Sequence, residues 1–397
     1  MFQNRFSVRS LFVFILVGIL STACTAPAPT LIFSTTTPPA YPSSTSPSAS
    51  QTPLPPTALP QATATTAPTQ TSQAPTQAAA NTQTPNPPTA VPGPGVSPDY
   101  LDDRSTATGL IQSYFNAINL KQYLRAYSYW ENGSKVGPYD PFQQGYQNTA
   151  SVKITLGTIS GDQGAGQHYF TVPAVLVAQT TDGKTQTFAA CYTMHLATPS
   201  IQGVPPFIPL GIATGTAKVA TNGTKAKDLL VHACDGVPQG APIVPAPVTI
   251  TQDITSANYL DDRSTAVDVL SSLFNAINRK EYVRAYSYWE SNSKVGPFDK
   301  FQQGYADTAS VQLTTGSVSS NAGAGQIYYT VPAVLKAKTS GGATQTFSAC
   351  YILHLSRPEI QGVPPFQPLA IKSATAKLVS NSSDPTTLLN QACANQP

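Results

Sequence analysis

The chain has 397 residues, a formal net charge of +3 and only 10% charged residues. A near-neutral chain without a basic run argues against a nucleic-acid partner, because such binding depends on neutralising phosphates. Its 18 tyrosines and 15 phenylalanines supply amphipathic surface of the kind that contacts small apolar ligands, glycans or protein partners. Composition therefore favours binding of small ligands, glycans or proteins over binding of nucleic acid.

The N-terminal segment 1–24 carries the features of an export signal. Arg5 and Arg9 precede an uncharged apolar run at 11–20, which is too short for a permanent membrane span of roughly 20 residues. The sequence Ser-Thr-Ala-Cys that ends at Cys24 resembles the lipobox of bacterial lipoproteins. The resemblance implies removal of 1–23, attachment of acyl chains such as palmitate to Cys24, and anchoring at the extracytoplasmic face of the cell membrane or envelope. The alternative is a plain secretory signal cleaved after Ala23.

Residues 24–98 are predicted to form the lipid anchor and a low-complexity stalk. From residue 25 to residue 98 there is no Lys, Arg, Asp or Glu, and the composition is almost entirely Pro, Thr, Ala, Ser and Gln. Such a segment buries too little apolar surface to offset its ordering entropy. It is predicted to be a disordered stalk, partly in polyproline II conformation, that holds the rest of the chain away from the membrane.

The remainder of the chain contains a tandem duplication of one sequence unit. Residues 100–234 align with 259–393 without a gap, each position shifted by 159, and roughly 60% of the aligned residues are identical. A unit of this length closes its own core. We therefore predict two sibling domains, 99–234 and 259–397, joined by a proline-punctuated linker at 235–258.

Four cysteines follow the same duplication. Cys191 and Cys234 have the spacing of Cys350 and Cys393. Four cysteines allow three connectivities, but the repeated spacing favours one disulfide inside each repeat, in keeping with an oxidising exterior.

Helices are predicted first within each repeat. Apolar residues recur at helical intervals from Ala107 to Ile118, and Asp102 and Asp103 ahead of them are interpreted as helix-start residues. The heptapeptide RAYSYWE, at 125–131 and 284–290, is predicted to end a second helix whose aromatic face packs on the core. FQQGY is predicted to be a helical turn.

Strands are predicted to follow. Four segments are rich in β-branched and aromatic residues and are separated by Gly, Asp and Pro signals. Alternation in the third segment predicts that His195, and His354 in the second copy, point away from the core. The segments are ASVKITLGTIS, QHYFTVPAVLVAQT, TQTFAACYTMHLA and GIATGTAKVA.

Helices followed by antiparallel strands predict an α+β fold, with helices packed on one face of a curved sheet. The order and aromatic placement of YFNAIN, QYLRAYSYW, FQQGY, TFAACYTMHL and GIATGTAKVA resemble the nuclear-transport-factor-2-like superfamily. The resemblance implies two tandem cone-like domains. It also implies two kinds of activity, because the superfamily includes non-catalytic domains of bacterial lipoproteins as well as isomerases and dehydratases with an acid inside the cone.

The sequence shows no catalytic signature. Asp103, Glu131 and Asp140 are the candidate acids, but none stands in an apolar context, and Glu131 is interpreted as a helix-end or surface charge. The four histidines show no ligand spacing, so neither a metal nor a cofactor is expected. We predict a protein that is not an enzyme. The alternatives are an isomerase or dehydratase of the cone-fold type and a structural spacer without a ligand.

The aromatic residues supply the candidate ligand contacts. The tryptophans of RAYSYWE are predicted to lie near the rim of each cone, and the loops IQGVPPF are either contact surfaces or rigid covers that bury their phenylalanine. These features predict a membrane-anchored, surface-displayed binding or adhesion module, whose two copies raise avidity for an envelope protein, a glycan or a small apolar ligand. The candidate residues are Tyr127, Trp130, Tyr146, Phe207, Tyr286, Trp289, Tyr305 and Phe366.

Overall fold

The structure, a computed structural model, describes residues 100–221, 223–243 and 258–394. The export signal, Cys24, the stalk and the middle of the linker lie outside the described residues, so the predictions made for them stay predictions. Within the described ranges, no helix has the length and apolar character needed to cross a membrane.

The first repeat places three helices ahead of an antiparallel sheet. Strand β3 is long, and it pairs with β4 along one side and with β1 and β2, one after the other, along its other side. The sheet order is β5-β4-β3-β2-β6, with β1 beside β3. The elements are α1 (Ala107–Asn119), α2 (Tyr123–Tyr127), α3 (Tyr139–Gly145), β1 (Thr149–Leu156), β2 (Ser160–Gly164), β3 (Gln167–Thr180), β4 (Thr185–Ala197), β5 (Gly211–Val219), α4 (Ala226–His232) and β6 (Ala241–Pro242).

The second repeat has the same order of elements, and its sheet contains five strands instead of six. The sheet order is β11-β10-β9-β7, with β8 beside β9. The elements are α5 (Ala266–Asn278), α6 (Tyr282–Ser287), α7 (Phe298–Gly304), β7 (Thr308–Thr315), β8 (Ser319–Gly323), β9 (Gln326–Thr339), β10 (Thr344–Ser356), β11 (Ala370–Val379) and α8 (Pro385–Ala392).

Each core lies between the helices and one face of the sheet. Leu110 and Ile111 of α1 are fully buried, and Ala190, Tyr192 and Met194 of β4 face them from the sheet. This is the alternation predicted for β4, because successive side chains of a strand point to opposite faces. The α+β class is confirmed, whereas the cone shape of the domains stays a prediction.

Both predicted disulfides are present. The sulfur atoms are 2.05 Å apart in the Cys191 to Cys234 bridge and 1.99 Å apart in the Cys350 to Cys393 bridge. Each bridge joins an interior strand of its own sheet, β4 or β10, to the end of a short helix, α4 or α8, that the sequence did not predict.

The second helix is shorter than predicted. Helix α2 ends at Tyr127, and Trp130 forms an isolated bridge with Ile212 at the start of β5. The backbone N–H of Ile212 donates to Tyr129 O at 2.7 Å, and Glu131 N–H donates to Ile212 O at 3.1 Å. The helix stops because these bonds to the sheet replace the ones that would continue it.

The interpretation of Asp102 and Asp103 as helix-start residues is wrong. Thr106 caps α1, since its Oγ1 accepts from the N–H of Gly109 at 2.9 Å. The carboxylate of Asp102 is only 3% exposed and accepts from the hydroxyl of Tyr129 at 2.8 Å. The two aspartates lie instead in the segment through which the first repeat contacts the second.

The repeats meet through reciprocal hydrogen bonds at this segment. The N–H of Arg104 donates to Asp261 O at 2.7 Å, and the N–H of Arg263 donates to Asp102 O at 2.8 Å. The hydroxyls of Ser264 and Ser105 accept from the N–H groups of Asp102 and Asp261, at 2.9 and 2.8 Å. Each residue is matched by its counterpart in the other repeat, as in the contact of two identical subunits.

Candidate ligand-binding cavity between the repeats

Two cavities stand out in the described part of the chain, and both lie outside the hydrophobic cores. The larger has a volume of about 530 Å³ and receives residues from both repeats. This volume falls within the range of cavities that hold small ligands. Its aromatic and proline lining consists of Pro205, Pro206 and Phe207 from the first repeat and Tyr286, Trp289 and Pro368 from the second.

Three of the eight aromatic candidates meet in this cavity, namely Phe207, Tyr286 and Trp289. Tyr146 instead packs on the first core, where its hydroxyl lies 2.7 Å from that of Tyr114. The remaining candidates do not line the cavity, and ligand binding by any of the eight stays a prediction. They are Tyr127, Trp130, Tyr305 and Phe366.

The loop that carries Phe207 is fixed by one glutamine. The amide nitrogen of Gln202 donates to the carbonyls of Ala197 and Ile208, both at 3.0 Å, and its oxygen accepts from the N–H of Ile208 at 2.8 Å. Gln361 makes the matching bonds in the second repeat. Phe207 is only 9% exposed. The loop is therefore a rigid element that holds a largely buried phenylalanine at the cavity wall.

The outer end of the second RAYSYWE motif forms the opposite wall. The hydroxyl of Tyr286 donates to Gly296 O at 2.8 Å, and its ring contacts Phe298 and Phe301 at centroid distances of 5.5 and 5.4 Å. Trp289 is half-buried, and its Nε1 is buried without a hydrogen-bond partner among the described residues. Trp289 therefore presents apolar ring atoms to the cavity.

A histidine bonded to a glutamate lies at the edge of the same cavity. Nδ1 of His354 bonds to Glu290, Nε2 lies 2.6 Å from Gln326 Oε1, and the ring stacks on Tyr328 at 4.6 Å. Because both ring nitrogens are engaged, neither is positioned to take a proton from a ligand. The arrangement orients the wall and does not form a general base.

The first repeat contains the same arrangement, which corrects one prediction. Glu131 is not a free surface charge, since its side chain is 19% exposed and its Oε1 lies 2.7 Å from His195 Nδ1. Gln167 Oε1 lies 2.6 Å from Nε2 of the same histidine. The sequence could not reveal this contact, because the two residues lie far apart in the chain and a recent duplication preserves every spacing alike.

Two cations line the cavity, and they differ in how firmly they are held. The guanidinium of Arg263 donates to Ser287 O at 3.0 Å and lies over the ring of Tyr288 at 4.5 Å. Lys372 is exposed, and among the described residues its ammonium makes no salt bridge. Its Nζ lies 4.9 Å from the centroid of Tyr328. The cavity thus combines an apolar floor with a single accessible ammonium group.

The two repeats differ on the side of the pair that faces away from this cavity. On the opposite side of the pair, the amide of Gln122 donates to Glu359 Oε1 at 2.7 Å, which ties α2 to the second repeat. The counterpart of Gln122 is Glu281, which instead bonds Arg284 at 2.5 Å and Arg279 at 2.8 Å within its own repeat. The cavity lies on the side of the pair where Glu281 bonds within its own repeat.

A buried arginine positions each RAYSYWE motif, and no pattern in the sequence predicted it. Arg125 is fully buried, and it donates to Leu101 O, to Gln122 Oε1 at 2.7 Å and to Asn116 Oδ1 at 2.7 Å. Its guanidinium lies 4.4 Å from the ring of Tyr100. The one unusual feature in the sequence was an arginine within an otherwise aromatic helix end. Its burial depends on tertiary partners that the sequence does not reveal.

Two aspartates of the inter-repeat segment, Asp262 and Asp103, have raised pKa values. Burial and the charge of Asp268 raise the pKa of Asp262 to about 8. Burial also raises the pKa of Asp103. Neither lines the cavity, and the described residues contain no group of three or more His, Cys, Asp or Glu side chains that could hold a metal ion.

Comparison of the chain with protein-family models, with curated proteins and with solved structures gave no match.

Proposed function

We propose that this protein is a lipid-anchored, extracytoplasmic binding protein that takes a small ligand in the cavity between its two repeats. The observation that carries the proposal is the cavity of about 530 Å³ whose walls come from both repeats. Support for the location comes from the export signal and the lipobox-like sequence ending at Cys24.

The lining suggests the chemistry of the ligand. Phe207, Tyr286 and Trp289 supply apolar ring surface, and aromatic rings are efficient contact groups because they bury a large area with few rotatable bonds. Lys372 supplies one ammonium group. We infer a ligand with an apolar body and a single acidic group.

An enzymatic role is the weaker candidate. A general base must have a free position within hydrogen-bond reach of the proton that it takes. The only histidine in the cavity lining, His354, has both nitrogens bonded to Glu290 and Gln326. The geometry therefore favours binding without chemistry.

The two tryptophans allow a direct test. Trp130→Phe leaves Trp289 as the only tryptophan of the chain, and Trp289→Phe leaves Trp130 as the matched control. With anilinonaphthalene sulfonate, an apolar probe with one acidic group, the emission of Trp289 should change saturably and that of Trp130 should not. No saturable change at Trp289, or equal changes at both, would reject the proposal.

A pair of matched tyrosine variants completes the test. Tyr127 and Tyr286 have the same contacts within their repeats, including a hydroxyl bond to Gly137 O or Gly296 O at 2.8 Å. Tyr286→Ala should weaken probe binding at least tenfold, because it removes a wall of the cavity, whereas Tyr127→Ala should leave it unchanged. Lys372→Ala should weaken this probe more than the neutral phenylnaphthylamine.

A further inference from the structure

The outer edge of β2 in the first repeat is covered by a segment of the chain that follows the repeat. Strand β6 pairs with β2 in the register Ser160 to Pro242 and Gly161 to Ala241. The N–H of Ile243 donates to Ile159 O at 2.8 Å. In this arrangement Ser160 is only 5% exposed.

One side-chain bond also holds this segment. Thr171 Oγ1 on β3 donates to Pro238 O at 3.1 Å, and Thr171 is 5% exposed. Residues 237–243 thus form a short extended cover, Val-Pro-Gln-Gly-Ala-Pro-Ile, along the edge of the first sheet.

In the second repeat, the described residues leave the same edge without a cover. Strand β8 pairs with β9, and no other described strand pairs with it. Ser319, the counterpart of Ser160, is exposed, Val318 is 41% exposed, and Thr330, the counterpart of Thr171, is half-buried. An uncovered strand edge is a template for pairing with another extended chain.

A further cavity lies at this edge. It has a volume of about 240 Å³, and Ser319 and Thr330 line it together with Gly316, Pro332, Leu389 and Cys393. The first-repeat counterparts of Ser319 and Thr330 are two of the residues that the cover at 237–243 contacts. The cavity is therefore the open counterpart of a slot that the first repeat fills.

The filled slot defines the chemistry of the missing strand. Gly240 approaches β2 so closely that a Cβ would lie 1.9 Å from Gly161 O, so a glycine is required at that position. Ile243 lies over Gly161, where a Cβ on that glycine would meet it at 2.7 Å. Because the second repeat has Ser320 in place of Gly161, a residue smaller than isoleucine fits the matching position without a shift of its side chain.

We propose that the edge of β8 is a second binding site, which accepts an extended, uncharged strand from another polypeptide. The strand adds to the sheet through backbone hydrogen bonds, with Thr330 Oγ1 donating to the carbonyl of a proline two positions before the glycine. Recognition requires a glycine at the position of Gly240, and the first-repeat cover, Pro-x-Gly-Ala-Pro, supplies the sequence of a strand that fits. This site is separate from the cavity between the repeats.

The test uses a labelled peptide with the sequence of residues 236–244 and serine in place of Ile243. Binding to the full chain should be saturable at one peptide per chain, and hydrogen exchange should slow at the outward-facing amide of Ser320, the counterpart of Gly161. Valine at the position of Gly240 should abolish binding. Thr330→Val should weaken binding about fivefold, whereas the matched Thr171→Val should leave it unchanged.

Four outcomes would overturn the proposal. They are absence of binding, binding that Thr330→Val and the valine peptide do not affect, protection of the outward-facing Ser320 amide before any peptide is added, and protection of that amide that grows with protein concentration. Protection before addition would show that the chain covers its own edge, for example with residues 25–98. Dependence on protein concentration would show that a second copy supplies the strand.

Discussion

At the scale of single residues, the two buried arginines have partners of different charge. Arg284 is fully buried and bonds the carboxylate of Glu281 at 2.5 Å, whereas Arg125 bonds the neutral amide of Gln122 at 2.7 Å. Removing one member of a buried ion pair leaves the other charge uncompensated. The same heptapeptide is therefore held by two electrostatically different sites.

The difference leads to a prediction for matched variants. Arg284→Met should lower the free energy of unfolding by about 3 to 5 kcal/mol, because Glu281 stays buried with less compensation. Arg125→Met should cost less, because the amide left behind carries no full charge. Chemical denaturation of both variants measures the difference, and equal losses would contradict the assignment of the two partners.

A second prediction concerns Asp262, whose pKa is raised to about 8 by burial and by Asp268. An ordinary aspartate has a pKa of about 4. Between about pH 4 and pH 8, the folded state therefore holds a proton that the unfolded state has already released. The stability that this group contributes is full below about pH 4 and is lost as the pH rises through about 8.

Asp262→Asn should flatten this part of the stability profile, because the amide does not ionise. Denaturation midpoints between pH 4 and pH 9 measure the effect. The matched control is Asp182→Asn, since the hydrogen bond from Lys184 lowers the pKa of the exposed Asp182 to about 2 and keeps it ionised throughout. A profile that keeps its slope in Asp262→Asn would contradict the raised pKa.

At the scale of elements, the disulfides join each sheet to its last helix. Cys350→Ser together with Cys393→Ser opens a loop with a sequence separation of 43 residues. The chain-entropy model gives a loss of about 4 kcal/mol for a loop of this size. Thermal unfolding with and without a reductant measures the loss, and a double variant as stable as the parent would contradict the prediction.

Local patterns predicted the elements that local forces determine. The alternation along β4 and the turn signals around it placed the strand and its buried face, because one face of the sheet packs on the core. The end of α2 could not be predicted, because it depends on the pairing of Trp130 with Ile212, a residue far along the chain. Strand β6 was missed for a related reason, since so short a strand with a proline has no periodicity and forms only against its partner.

The site could be predicted in part. The aromatic character of Phe207, Tyr286 and Trp289 marked them as candidates, but nothing in the sequence indicated that residues of two different repeats would line one cavity. That arrangement depends on the reciprocal pairing of the Asp-Asp-Arg-Ser segments, whose residues carry no signal of their own. Composition identified the chemistry of the walls, and only the tertiary structure identified their arrangement.

At the scale of the whole molecule, anchoring is a prediction from sequence alone. Cys24→Ala should move the protein from the membrane fraction to the soluble fraction, because it removes the proposed site of acylation. Labelling with a fatty acid analogue measures the modification directly. Equal labelling of the parent and the variant would contradict lipidation at Cys24, and Ser21→Ala serves as the control for a change in the same segment.

The central claim is that two similar repeats create one ligand site between them. Sites inside the individual repeats would give two per chain, because the repeats share most of their residues and the same order of elements. The most direct measurement is the stoichiometry of anilinonaphthalene sulfonate binding to the full chain by equilibrium dialysis. We predict one saturable site per chain, lost in Tyr286→Ala and kept in Tyr127→Ala, whereas two sites, or one site that survives in Tyr286→Ala, would contradict the claim.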